Sequence, residues 1–216
     1  MLTMGSADDL TARARVRDAA VRLFGQDGFG VPLRAVAAQA GVSAALIVHH
    51  FGSKDGLRRV CDEHVLALVR ESKAEAISPA GPGGLRAALA AVDDYAPAAA
   101  YVAQSLASGD GAARDFLEHM VDDARAYLAE GVANGTVRPS RDPDRRARFL
   151  VLSSTGMLLM HLRTSGDDVA QALHVLAAET TLPALELYTE GLLADPSFLD
   201  AYLASEQVPT PAGGAP

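Results

Sequence analysis

Polar and basic side chains gather in residues 34–54, and their types suit contact with a nucleic-acid duplex. Five of those able to donate a hydrogen bond are candidates for DNA contact, namely Arg34, Ser43, His49, His50 and Lys54. An arginine can pair with a guanine edge or hold a phosphate, and hydroxyl, imidazole and ammonium groups donate to phosphate oxygens. Ala44 and Ala45 offer only methyl groups, which can touch thymine methyls but form no bidentate pair. The segment therefore carries side chains suited to DNA.

The expected roles differ along this segment. Arg34 is the best candidate for reading a base edge or clamping a phosphate, and the alternative is an ordinary solvated arginine. Val48 can make only apolar contact with DNA. The groups expected on the sugar–phosphate backbone, where contacts position a protein without reading sequence, are His49, His50 and Lys54. Ile47 and Phe51 are predicted to lie in the core.

Apolar spacing on either side of Pro32 predicts two helices. The apolar face of the first consists of Val16, Ala20, Leu23 and Phe24, at i, i+4, i+7 and i+8. Gly25 and Gly28 are expected to end this helix, and Pro32 to begin the next, where its missing N–H costs nothing. The buried face of the second helix consists of Val36, Ala37 and Ala40.

Gly41 and Ser43 predict a tight turn into a third helix. A glycine after the last apolar residue can adopt the left-handed backbone that ends a helix. A serine two residues later can cap the next helix by accepting backbone N–H groups. Two short helices joined by a turn of about three or four residues form the helix-turn-helix, a unit that reads DNA.

The motifs in this region resemble a known family. They are AAVRLFGQDGFG at residues 19–30 and LRAVAAQAGVSAALIVHHFGSKDGL at residues 33–57. Both resemble the DNA-binding domain of the TetR family of bacterial transcriptional repressors, and the match covers about the first sixty residues. Residues 94–97, 137–143 and 188–195 are in addition similar to actinobacterial multidrug-efflux regulators of this family.

The chain departs from the family pattern at two places. Many members have Ser or Thr at the start of the second helix, where it caps the helix and touches a phosphate, and this chain has Pro32. Many also have two Tyr residues before the motif histidine, and here the positions hold Val48 and His49. These departures remove hydroxyl groups from the phosphate-facing set, and only His49 can replace one as a donor.

The distribution of charge fits this resemblance better than the net charge of −8 does. Residues 1–59 carry eight Lys and Arg against five Asp and Glu, a net charge of plus three. Residues 60–216 carry eleven against twenty-two, a net charge of minus eleven. A basic head on an acidic body suits a protein whose N-terminal part faces phosphates, and the alternative is chance clustering of charge.

Several protein classes are excluded by what the sequence lacks. It has no run of eighteen apolar residues and no secretory pattern at residues 1–10, so we expect a cytoplasmic protein without a membrane partner. Its single cysteine, Cys61, allows no internal disulfide and is expected to be a small buried apolar residue. His119 and Asp123 have i, i+4 spacing, but two ligands make no metal site. Nucleophile, P-loop and metalloprotease motifs are missing, so neither an enzyme nor a cofactor is expected.

The rest of the chain has helical periodicity and no strand pattern. The predicted helices are 54–77, 85–93, 95–107, 114–133, 144–164, 169–193 and 196–205. Pro97 is expected in the first turn of its helix, and Pro183 is expected to kink the long one. We predict a DNA-binding head at residues 1–53, a body at 54–207 and a disordered tail at 208–216.

The resemblance implies an all-α fold of about nine or ten helices with a dimerising, ligand-binding body. Helices 144–164 and 169–193 would pair with those of a second copy as a four-helix interface. The pocket would lie between the fourth helix and residues 95–161. Its candidate lining residues, for which ordinary core packing is the alternative, are Tyr101, Gln104, Phe116, Met120, Met157 and His161.

The function implied is that of a repressor that binds a pseudo-palindromic operator as a homodimer. A small hydrophobic effector would release it, and the acidic body favours a cationic one. Efflux or metabolic genes are the expected targets. One alternative is a constitutive DNA-binding protein whose body only dimerises, and another is an enzyme or carrier that has kept the head.

Overall fold

Helices form all regular structure in residues 7–80, 83, 86, 92–109 and 111–205, the part of the chain described by the computed structural model. In chain order they are α1 (Ala7–Asp27), α2 (Leu33–Ala40), α3 (Ala44–Phe51), α4 (Lys54–Ala76), α5 (Val92–Ala107), α6 (Gly111–Ala133), α7 (Pro143–Ser165), α8 (Val169–Thr189) and α9 (Ser197–Ala204). These nine helices, with no strand among the same residues, confirm the predicted all-α fold. None of them has both the length and the apolar composition needed to cross a membrane.

The chain divides into two compact units, residues 1–176 and residues 177–216. The first unit contains α1 to α7 and the beginning of α8, and the second contains the rest of α8 and α9. The sequence-based boundaries after residues 53 and 207 stay predictions. The predicted tail 208–216 and most of the predicted helix 85–93 lie outside the described residues.

One continuous apolar core joins α1 to α6 and part of α7 within the first unit. Its largest fully buried side chains are Phe24, Ile47, Leu57, Val16, Val36, Val65, Cys61 and Tyr101. The predictions that Ile47 and Phe51 are core residues, and that Cys61 is buried, are confirmed. Burial of each large aliphatic or aromatic side chain is worth about 1.5–3 kcal/mol. The helix-turn-helix is therefore packed on α1 and α4 by the core that it shares with them.

Gly25 does not end α1, contrary to the prediction from its sequence position, because the helix continues to Asp27. Gly28 follows with a φ of 81°, in the left-handed region, and its backbone ends the helix. Gly25 has a different structural role. A Cβ at this position would lie 2.9 Å from the backbone N of Tyr101 and 3.0 Å from the Cβ of Ala100. Glycine therefore allows α1 and α5 to pack closely at this point.

Pro97 lies inside α5, more than one turn beyond Val92, and not in the first turn. The predicted start at residue 95 was wrong because Asp93 and Asp94 already belong to the helix. Acidic residues near a helix N-terminus are stabilised by the helix dipole. Pro97 has no N–H to donate to the carbonyl of Asp93. Pro183 lies inside α8, and a kink there stays a prediction.

The second unit has its large apolar side chains on the surface. Leu192 is 82% exposed, Leu182 64% and Phe198 63%. Helix α8 ends at Thr189 and not at the predicted residue 193. The reason is Gly191, whose φ of 86° lies in the left-handed region and is incompatible with a continuing helix.

Candidate nucleic-acid interface

The turn between α2 and α3 has the geometry that its glycine and serine predicted. Gly41 has a φ of 67° and a ψ of 38°. Its N–H donates to the carbonyl of Ala38 at 3.3 Å, and the N–H of Val42 donates to that of Ala37 at 3.0 Å. These bonds satisfy carbonyl groups that the end of α2 leaves without helical partners.

Ser43 caps α3, as predicted. Its backbone is extended, and its Oγ accepts a hydrogen bond from the N–H of Leu46 at 3.2 Å. The side chain is exposed, so the hydroxyl hydrogen can still donate to an outside acceptor such as a phosphate oxygen. The same side chain can therefore fix the start of α3 and contact the DNA backbone.

Helix α3 has one exposed and one buried face. The exposed residues are Ala44, Ala45, Val48 and His49, at i, i+1, i+4 and i+5. Ile47 and Phe51, on a different face, are 0% and 8% exposed. Val48 is 49% exposed, which is a large value for an apolar side chain in a well-packed head. This arrangement leaves short side chains free to approach base edges in a major groove.

The remaining candidate DNA contacts lie around this face. Arg34 is exposed in the first turn of α2. His50 and Lys54 are half-buried and thus less available than His49. The ring centroid of His50 lies 5.4 Å from that of His49, and the ammonium of Lys54 lies 6.0 Å from the centroid of Phe24. The assignment of these residues to particular DNA contacts stays a prediction.

Two residues near α3 were not predicted from the sequence to belong to this site. Arg13, exposed on α1, has its guanidinium carbon 5.6 Å from the ring centroid of Phe51. It adds a cation beside Phe51, the last residue of α3. Gly56, in the first turn of α4, has no room for a Cβ, which would clash with the carbonyl oxygen of Phe51. A glycine one turn after the serine cap Ser53 was the available signal for this tight α3–α4 connection.

The six candidate ligand residues lie in different surroundings. Tyr101, Phe116 and Met120 are buried, and the rings of the first two have their centroids 6.3 Å apart. The amide of Gln104 lies against Gly28, at the end of α1. Met157 is 42% exposed. His161 is half-buried, and its Nε2 lies 2.8 Å from Oδ2 of Asp167.

A small cavity lies between α4, α6 and α7, and of the six candidates Met120 lines it. Its volume is about 30 Å³, enough for a water molecule and far below the roughly 300 Å³ or more of a typical ligand pocket. Its walls are formed by Leu66, Val69, Arg70, Lys73, Met120, Asp123, Tyr127, Val151 and Ser154. An effector could therefore bind here only if these helices moved apart.

Tyr101 connects α5 to α4 through its hydroxyl. The hydroxyl donates to Oδ1 of Asp62 at 2.7 Å and lies 3.3 Å from the carbonyl oxygen of Arg58. Burial raises the pKa of the Asp62 carboxyl, and the hydrogen bond from Tyr101 together with the charge of Arg58 opposes this rise. Burial and the same hydrogen bond raise the pKa of Tyr101 far above its usual value, so the hydroxyl remains a donor.

Comparison with known proteins assigns this helix-turn-helix to a family. Residues 16–61 match the family described as bacterial regulatory proteins, tetR family. Residues 93–194 match the tetracyclin repressor-like C-terminal domain. The HTH-type transcriptional regulatory protein RaaS of Mycobacterium tuberculosis (strain ATCC 25618 / H37Rv) is 49% identical over 201 residues, which cover 92% of this chain and 95% of the relative.

Solved structures share the fold. A TetR-family transcriptional regulator of Pectobacterium atrosepticum has a TM-score of 0.55 at 24% identity, covering 89% of this chain and 99% of its own. The transcriptional regulator FadR of Bacillus subtilis, solved in complex with stearoyl-CoA, has a TM-score of 0.50 at 18% identity, covering 83% and 99%. The fold, the two domain matches and the 49% identical relative agree. The chain belongs to the TetR family and is a DNA-binding transcriptional regulator of the RaaS type.

Proposed function

We propose that this regulator is a repressor that binds a pseudo-palindromic operator as a homodimer and leaves it when a small apolar effector enters the body. The observation that carries the proposal is the exposed face of α3. Ala44, Ala45, Val48 and His49 point away from a core that holds Ile47 and Phe51. A short-chain face of this kind lets a recognition helix enter the major groove closely.

A homodimer follows from the limited contact that one recognition helix can make. Two-fold symmetric dimers place two such helices on half-sites one turn of DNA apart, about 34–36 Å. Helix α7 offers an apolar surface for pairing, since Phe149 is 61% and Met160 64% exposed. The part of α8 in the second unit also exposes apolar side chains, such as Leu182 and Leu185. The apolar face of α7 supports pairing of two copies through this helix, and the four-helix interface that includes α8 stays a prediction.

Effector control would act through α4. The first residue of this helix, Lys54, belongs to the predicted DNA-contact set, and Leu66, Val69 and Arg70 line the small cavity further along it. A compound that binds only when the cavity is enlarged shifts the population toward that conformation. If the enlarged form spaces the recognition helices differently, operator affinity must fall by the same linkage.

The charge of the effector is a separate part of the proposal. The acidic body favours a cationic compound. The cavity lining itself carries Arg70 and Lys73 against Asp123, and so adds no support for that preference. Titration of the protein–operator complex with cationic dyes and drugs, with an acyl-CoA as the anionic comparison, tests the preference. Release by the anion alone would overturn it.

The experiment for the repressor proposal is a promoter assay joined to a binding assay. Fragments from upstream of the protein's own gene, and from neighbouring efflux or metabolic genes, are placed before a reporter in a host that supplies the regulator. We expect lower reporter output from fragments that the purified protein binds, and recovery when an effector is added. Higher output from bound fragments would identify an activator and contradict the proposal.

The alternative is a constitutive DNA-binding protein whose body only dimerises, and the 30 Å³ volume of the cavity favours it. A thermal-shift screen separates the two, because a ligand that binds the folded state raises the melting temperature by mass action. Compounds that raise the melting temperature and release DNA support the effector proposal.

Family membership supports a regulator that is not an enzyme and acts on DNA in the cytoplasm.

A further inference from the structure

Phe29 occupies a central place in the α1–α2 loop, residues 28–32, because three side chains surround its ring. The guanidinium carbon of Arg58, on α4, lies 3.8 Å from the ring centroid. The ring of Tyr101, on α5, meets it edge-on, with centroids 5.5 Å apart and planes at 86°. The ring of Phe24 lies 5.6 Å away at the end of α1. One loop residue thus contacts α1, α4 and α5.

Arg58 directs its guanidinium at this ring. Among the described residues its buried Nε has no hydrogen-bond partner. Its positive charge lies instead over the electron-rich face of Phe29 and near the Asp62 carboxyl. A cation–π contact is stronger when it is shielded from water than when it lies at the surface. Such an arginine fixes the ring in position.

Tyr101 is fixed in its turn by contacts on both sides. Its hydroxyl donates to Asp62 at 2.7 Å, and its backbone N faces Gly25, where a Cβ would lie only 2.9 Å away. The side chain of Gln104, one turn further along α5, lies against Gly28. After the end of α1, the loop therefore packs against a surface of α4 and α5, and this surface has little freedom to move.

We propose that Phe29, held between Arg58 and Tyr101, sets the angle at which the α2–α3 pair leaves α1, so that Arg58 and Tyr101 are positioning residues for operator reading. The loop leads directly into Leu33, the first residue of α2. A rotation of the loop therefore moves the α2–α3 pair as a body. Contacts with bases demand a closer fit than contacts with phosphates. Misplacement of the α2–α3 pair therefore weakens base contacts before phosphate contacts.

The test compares operator DNA with a random duplex of equal length, bound by the full chain. Arg58→Met keeps an unbranched stem and removes the cation, and Phe29→Leu keeps apolar bulk and removes the aromatic face. Each should lower operator affinity about tenfold and leave random-duplex affinity close to wild type. The double variant should be no worse than either single one, because both changes remove the same contact.

Arg59→Met is the matched control. Arg59 is exposed and follows Arg58 on α4, so its side chain points about 100° away. It should leave the ratio of operator to random affinity unchanged. Tyr101→Phe, which keeps the ring and loses the bond to Asp62, should lower this ratio a few-fold, whereas Tyr95→Phe on the same helix should not.

Melting temperatures separate positioning from simple packing. A lower melting temperature with an unchanged ratio in Arg58→Met and Phe29→Leu would overturn the proposal. So would an equal loss of affinity for both duplexes, since Arg58 would then be a phosphate contact. The proposal rests on operator binding by the wild type. Failure of the wild type to prefer its operator would count against the proposed function and not against the positioning role of Phe29.

Discussion

The guanidinium of Arg70 on α4 lies 3.6 Å from the carboxylate of Asp123 on α6, measured from Nη1 to Oδ1, and both side chains line the cavity between these helices and α7. Both are partly exposed to solvent. Such a pair is screened and contributes about 1 kcal/mol or less to stability. It therefore joins two helices that an effector would have to separate, without making their separation costly.

Replacing Asp123 by Ala should make the cavity easier to open. We expect tighter binding of Nile red, a neutral apolar probe, by a few-fold, with little change in melting temperature because the lost pair is weak. Asp122→Ala is the control, since Asp122 pairs with Arg125 on the surface at 2.7 Å. Equal effects of the two substitutions on dye binding would contradict a role of the cavity.

Arg34 and Lys54 should differ when each is replaced by Ala. Loss of a base contact by Arg34→Ala should cost about 1–3 kcal/mol and relax the preference for particular bases. Lys54→Ala should weaken all DNA sequences alike, because phosphate contacts carry no sequence information. Competition binding with a set of operator variants measures both effects. A uniform loss in both proteins would make Arg34 a phosphate clamp and leave specificity to Ala44, Ala45 and DNA shape.

Two Gly→Ala substitutions should have opposite effects on stability. Gly25→Ala places a methyl group 2.9 Å from the backbone N of Tyr101, so we expect a loss of about 1–3 kcal/mol from overpacking. Gly156 lies inside α7, where an added methyl group would have no neighbouring atom of its own chain within 4 Å, and its replacement by Ala should stabilise the single protomer by about 0.5–1 kcal/mol. Urea unfolding of both variants measures the two changes. A stable Gly25→Ala protein would show that α1 and α5 need no close approach.

Cys61 should react slowly with iodoacetamide in the folded protein. Burial, with a smaller contribution from the charge of Asp62, raises the pKa of its thiol to about 12, and only the thiolate reacts. Unfolding returns the pKa to about 9.0 and should speed the labelling at pH 8, which mass spectrometry measures. By linkage, the free energy of unfolding should fall between about pH 9 and 12, where the unfolded state alone ionises. Equal labelling rates in both states would contradict this burial.

The helix-turn-helix could be predicted because its signals are local. Contacts between residues distant in sequence could not be predicted. Gly41 and Ser43 act within four residues of themselves, through a left-handed backbone and an accepted N–H. The prediction that Gly25 ends a helix was wrong because the reason for this glycine is Tyr101, far along the chain. The bond between Tyr101 and Asp62 has no periodic signature either. Gly191 shows that even a local breaker is missed when two leucines follow it in an otherwise helical pattern.

The exposed face of α3 and the basic head should bind an operator as a dimer. The most direct test is the affinity of the full chain for fragments from upstream of its own gene, measured by mobility shift from about 50 to 200 mM salt. We expect a complex with one or two dimers, a preference over random sequence, and a logarithm of affinity that falls linearly and steeply with the logarithm of salt concentration. Absence of salt-sensitive binding to every upstream fragment would contradict it.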